Sequence, residues 1–88
     1  MRLDKFLKVS RIIKRRTIAK EVCEQGSASV NGRPAKAGTE VKPGDVLDVR
    51  LGSKLLRVQI LSTPDTVRAQ DAQQLYEVME ERIEQSRG

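Results

Sequence analysis

The 88-residue sequence predicts an α+β fold: two N-terminal helices packed on a small, mostly antiparallel curved sheet, with a further helix at the C-terminal end. Three changes of pattern carry this prediction. Residues 2 to 26 repeat apolar positions at helical spacing, residues 27 to 60 alternate between turn signals, and residues 67 to about 82 return to a helical stripe. Phe6 and Tyr76 are the two aromatic residues, so the core is expected from Leu, Val, Ile and Ala, and base stacking on an aromatic platform is not the expected mode of recognition.

The first helix is placed at Met1 to Ser10, where Leu3, Phe6 and Leu7, with Val9 or Ser10, share a face and Arg2, Lys5 and Lys8 fall between them. Asp4 suits the positive end of that helix and an i,i+4 pair with Lys8, or it orients an arginine. Arg11 to Arg16 turns the chain, with Ile12 or Ile13 inward. Thr17 is the expected cap of a second helix whose Ile18, Ala19, Val22 and Cys23 share a face and whose end falls at Gly26. Lys20 stands where a capping box wants Glu or Gln, so no reciprocal bond is expected.

Asn31-Gly32 is a type I' hairpin signal between residues 27 to 31 and 33 to 36, with Pro34 at an edge where its missing donor costs nothing. Pro43-Gly44 marks a type II turn, and residues 46 to 51 and 55 to 60 alternate as two strands around Gly52. After the breaker at 62 to 66, the stripe of Ala72, Leu75, Tyr76, Met79 and Ile83 predicts an acidic amphipathic helix docked on the same domain. The expected organisation is a domain over residues 1 to 62 and that helix within 63 to 88, frayed from Gln85 to Gly88.

Charge is unevenly distributed. Residues 2 to 20 hold eight Lys or Arg against Asp4 alone and carry +7, residues 21 to 64 carry +1, and residues 65 to 88 carry −3. An anionic partner is therefore expected at the helices. A charge run is often only solvated, but this one lies between amphipathic helices and contains two isoleucines that need burial. With no long apolar stretch to favour a membrane, nucleic acid is the expected partner.

Catalysis is not expected. There is no histidine, Cys23 is alone, and the glycines sit at scattered turns rather than in a phosphate-binding loop. A disulfide within the chain is excluded, a zinc site lacks ligands, and no cofactor is implied. Cys23 reads as a small buried hydrophobe, and a cytoplasmic location fits.

Arg2-Leu-Asp-Lys-Phe-Leu7, Lys14-Arg-Arg-Thr17, Gln25-Gly26, Val30-Asn-Gly32, Lys36 and Val41-Lys-Pro-Gly-Asp45 together resemble the RNA-binding domain first known from ribosomal protein S four. The resemblance covers residues 2 to about 51 and implies a small S-four-type domain that holds structured RNA through its phosphates. It implies RNA contacts at Arg2, Lys5, Arg11, Lys14, Arg15, Arg16 and Lys20, with Asp4 as the acid that positions the first helix and its arginine. Asn31 matches the hairpin tip and Lys36 a phosphate contact beside it. Arg2 and Arg16 rank first because a guanidinium can grip phosphate with two bonds.

Over its whole length the chain is similar to small stand-alone members of that family that serve bacterial ribosome-associated quality control. These imply binding to rRNA of the obstructed large ribosomal subunit and to peptidyl-tRNA, stabilising the P-site tRNA while an RqcH-type partner of the NEMF family adds a template-free alanine tail. A monomer is expected. The alternatives are the heat-shock-protein-fifteen type, which usually has a longer basic C-terminal extension, a generic structured-RNA module, and a protein adaptor using Leu75, Tyr76 and Met79.

Overall fold

Helix α1 (Leu3–Val9) forms where Leu3, Phe6 and Leu7 recur at helical spacing, and all three side chains are fully buried. The computed structural model describes residues 1–84. A helix this short is anchored from outside. Its first-turn amides, which have no partner within the helix, donate elsewhere: Leu3 N–H to the Thr39 carbonyl at 2.8 Å, Asp4 N–H to Ala37 at 3.2 Å and Lys5 N–H to Asp4 Oδ1 at 2.8 Å. Arg2 and Glu40 form an antiparallel bridge beside them, so the loop at 37–41 sets the start of the helix.

Helix α2 (Arg16–Glu24) buries Ala19 and Cys23, and its end has a clear physical cause. Gly26 takes φ +81°, its N–H donates to the Cys23 carbonyl, and Ser27 N–H reaches back to Val22, the paired bonds of a Schellman ending. The expected Thr17 cap is corrected. The extended Arg15 precedes the helix without a side-chain cap, because the helix begins at Arg16, one residue ahead of the threonine. Ile18, expected on the inner face, is 43% exposed. Of the connector isoleucines, Ile13 is buried and Ile12 only partly so.

The sheet holds β1 (Ala28–Val30), β2 (Arg33–Pro34), β3 (Val46–Leu51), β4 (Lys54–Ile60) and β5 (Tyr76–Ile83) in the spatial order β2-β1-β3-β4-β5, every neighbouring pair antiparallel. Asn31 (φ +52°) and Gly32 (φ +82°) make the tight β1-β2 turn as expected, and Pro34 lies on the edge strand. Gly44 takes φ +95° in the Lys42–Asp45 turn, which Asp45 N–H closes onto the Lys42 carbonyl. Leu47 and Val49 of β3 and Leu56, Val58 and Ile60 of β4 all lie in the core with the buried faces of both helices.

The C-terminal segment differs from the expected helix over 67 to 82. A 3-10 helix spans Ala69–Leu75, and the chain then extends as β5 along the full length of β4. Two forces override the helical stripe. Strand β4 offers an unpaired edge of backbone donors and acceptors, and the extended form sets Glu80 and Glu81 beside Arg57 and Lys54 of that strand. Ala72 and Leu75 stay buried, whereas Met79 and Ile83 are 54% and 66% exposed, so the stripe read from the sequence is split. The expected fraying of Gln85 to Gly88 lies outside the described residues.

Candidate nucleic-acid interface

Two arginines, one at the N-terminal end of each helix, meet on one buried carboxylate. Arg2, just ahead of α1, places Nε 3.2 Å from Asp4 Oδ1 and Nη2 3.4 Å from Oδ2. Arg16, the first residue of α2, places Nε 3.4 Å from Oδ2 and Nη2 3.5 Å from Oδ1. The Asp4 side chain is 4% exposed, while the arginines are 51% and 50% exposed. Each guanidinium therefore keeps its Nη1 edge for an outside acceptor, fixed in direction by an anion beneath it.

Burial disfavours the charged Asp4 carboxyl. The hydrogen bonds from Arg2 and Arg16, the Arg16 charge and the Lys5 amide outweigh that and hold it below the ordinary carboxylate range. The i,i+4 pair with Lys8 does not form, because the carboxylate is turned inward between the arginines. The other reading of Asp4, as the residue that orients an arginine, describes the structure and extends to a second arginine. The Arg2 guanidinium also lies over Gly38, where an added Cβ would sit 3.8 Å from it.

The remaining sequence candidates fall into three settings. Arg11, Lys14, Arg15 and Lys20 are exposed and make no ion pair among the described residues, which leaves them open to solvent along the connector and α2. Arg11 holds φ +62°, a left-handed backbone unusual for a side chain of its size, where the chain leaves α1. Lys5 is partly covered and lies 3.3 Å from Asp65, and Lys36 donates to the Glu24 carbonyl at 3.5 Å and pairs with its carboxylate at 3.8 Å.

Asn31 is occupied within the protein. Its amide donates to Asp45 Oδ1 at 3.1 Å and its carbonyl accepts Val46 N–H at 2.9 Å, so it clamps the hairpin tip to the start of β3. Asp45, which closes the Val41-Lys-Pro-Gly-Asp45 motif of the sequence, is 5% exposed and also accepts Lys42 N–H at 3.0 Å. Burial opposes its ionisation, but the Asn31 and Lys42 contacts keep its carboxyl below the usual range. The Asp following Pro-Gly is the signal that could have shown it.

The described residues hold no cluster of side chains fit for a metal ion and no helix long and apolar enough to cross a membrane. Cys23 is fully buried, and burial first, with the Asp4 and Glu24 charges, pushes its thiol up to about 11. A thiol held protonated is not a nucleophile at neutral pH.

Residues 1–47 match the S4 domain family. The chain is 64% identical to the RQC P-site tRNA stabilizing factor of Halalkalibacterium halodurans over 92% of each chain. It is 57% identical to the factor of the same name from Bacillus subtilis, over 92% of this chain and 94% of that one. Among solved structures, a trimeric structure of heat shock protein 15 from Vibrio cholerae superposes with TM-score 0.83 at 35% identity, covering 90% of this chain and 81% of that chain.

Proposed function

The chain belongs to the S4 domain family, within its RQC P-site tRNA stabilizing factors, and from that premise we propose that its helical face grips structured RNA on the large ribosomal subunit and steadies P-site tRNA during ribosome-associated quality control. The observation that carries this reading is the pair of half-exposed guanidiniums, Arg2 and Arg16, held side by side on buried Asp4. Two forks of fixed direction suit adjacent phosphates, and the exposed Arg11, Lys14, Arg15 and Lys20 add contacts that need no base reading.

The mechanism is positional. A tRNA that lacks part of its usual anchorage gains it from a cationic wedge touching large-subunit rRNA on one side and peptidyl-tRNA on the other. Asp4 and Asn31 act as positioning residues, the first for the two arginines and the second for the hairpin tip. The protein works as a non-catalytic, cytoplasmic monomer beside an RqcH-type partner, with residues 1 to 62 holding RNA and residues 63 to 84 completing the sheet. Identities of 64% and 57% to the RQC factors, against 35% to the heat-shock-protein-15 structure, support this over a heat-shock-protein-15-like role.

The test is binding of the wild type and of an Arg2→Ala/Arg16→Ala variant to purified large subunits with and without peptidyl-tRNA, across a salt series. Wild-type binding is expected to favour the tRNA-bearing particle. The variant is expected to lose about 100-fold in affinity, from two charge-assisted bonds, and to flatten the log-log salt slope by about 2. Equal, weak binding of the wild type to both particles would reduce the protein to a generic RNA-binding module.

A further inference from the structure

A second feature lies where the connector faces the far end of the sheet. Arg11, Lys54, Gln73, Tyr76, Val78 and Glu81 line a groove of about 470 Å³, a volume within the range of small-ligand sites. These residues come from the connector, β4, the 3-10 helix and β5, and those from Lys54 onward lie beyond the residues that match the S4 domain. We propose that this groove receives a single unpaired nucleotide of the RNA bound on the helical face, and in this it rests on the reading above.

The lining matches such a ligand part by part. Tyr76 is half-buried and supplies the one aromatic ring that solvent can reach, because Phe6 is fully enclosed in the core. A base can stack on such a ring whatever its identity. Gln73 offers both donor and acceptor to a base edge, and Glu81 accepts from an exocyclic amine. Lys54, 3.2 Å from Glu81, holds that carboxylate in place.

Arg11 ties the groove to the phosphate-binding face. It is the connector's first residue, belongs to the same cationic run as Lys14 to Arg16, and has no ion-pair partner among the described residues. Its left-handed backbone, φ +62°, is a conformation a long side chain seldom takes, and it sets this side chain at the groove. A strand whose phosphates follow the connector passes Arg11 as it reaches the groove, so a nucleotide out of the stack there has a cation for its phosphate and a ring for its base. A fully paired stem has no base to offer and uses the helical face alone.

The single tyrosine makes the proposal readable. The full chain, 13C-labelled at tyrosine, would be titrated with RNA hairpins of equal length, one fully paired and the others with one unpaired nucleotide stepped along the stem. At one step or more the Tyr76 ring signal should move strongly, and that RNA should bind about 10-fold more tightly than the paired hairpin. Tyr76→Leu, which keeps apolar bulk on the sheet, should abolish the preference and leave affinity for the paired hairpin unchanged. Arg11→Gly, which suits the left-handed backbone, should lower affinity for both RNAs and also weaken the preference. A Tyr76 signal that stays put while every hairpin binds, or moves equally for all of them, overturns the groove proposal and leaves the helical-face reading intact. Failure of every hairpin to bind would remove the helical-face reading and the groove with it.

Discussion

The cations of the helices and the cations of the sheet live in different electrostatic company. Arg50 lies 3.0 Å from Glu84, Lys54 3.2 Å from Glu81, Arg57 2.7 Å from Asp48 and 4.0 Å from Glu80, and Arg82 3.0 Å from Glu80. The hydrogen bond and charge of Asp48, with Glu80 behind it, raise the Arg57 pKa further. On the helical side Arg11, Lys14, Arg15 and Lys20 have no such neighbour among the described residues, and Arg2 and Arg16 share one. The difference shows that the number of basic residues on a surface says less than whether acids already occupy them. Strand β5 and Glu84 just after it bring three of the four acids that quiet the sheet, and exposed pairs of this kind add little stability. Their effect is to leave the unpaired positive charge chiefly on the helical face.

The comparison breaks most sharply at Asp4. Asp4→Ala adds one net positive charge to the helical face, so a picture based on charge alone predicts tighter RNA binding. We expect the reverse, a fall of about 10-fold as two arginines lose their fixed direction, with stability lower by about 1–2 kcal/mol, or about 5–15 °C in Tm. Affinity by salt titration and Tm by scanning calorimetry decide between them; tighter binding would show that pre-set arginine geometry is unimportant.

The sheet offers the converse. Glu80→Gln/Glu81→Gln/Glu84→Gln should release Arg50, Lys54 and Arg82 and create a second cationic face, raising affinity for unrelated duplex RNA severalfold and steepening its salt slope by about 2. An unchanged slope in a filter-binding series would show that these acids mask nothing.

Acid should act through the buried carboxylates. Asp4 and Asp45 titrate below their unfolded value of 3.8, so they stabilise the fold fully above that range and lose the contribution as pH falls through their folded values. The Tm is therefore expected to decline below about pH 4, with a shallower decline in Asp4→Asn, as followed by circular dichroism from pH 6 to 2. The smallest effect is expected at Lys20→Ala, where one solvated contact is lost: the salt slope should fall by about 0.9 with Tm unchanged.

Most of the domain was legible because local chemistry and tertiary demand agree there. Leu3, Phe6 and Leu7 want one helix face, Asn31-Gly32 wants a left-handed turn, Gly26 wants a helix end, and the fold uses all of them as such. Segment 76–83 was misread because Glu-rich spacing favours a helix locally, while the open edge of β4 and its cations act from far along the chain. The candidate site was legible as a list of basic residues and less so as an arrangement. That Asp4 bridges Arg16 as well as Arg2 depends on the packing of α1 against α2, and the groove around Tyr76 depends on the strand that the sequence disguised as a helix.

The dependence of α1 on the loop at 37–41 has a consequence for how the protein is born. Arg2, Leu3 and Asp4 are made well before their backbone partners at Ala37, Thr39 and Glu40. At about 5–20 residues per second the nascent chain spends on the order of seconds as loose, basic peptide before the arginine pair can be set. The arginine pair therefore takes its geometry only once the loop at 37–41 is clear of the exit tunnel, so the order of synthesis sets when the helical face is complete.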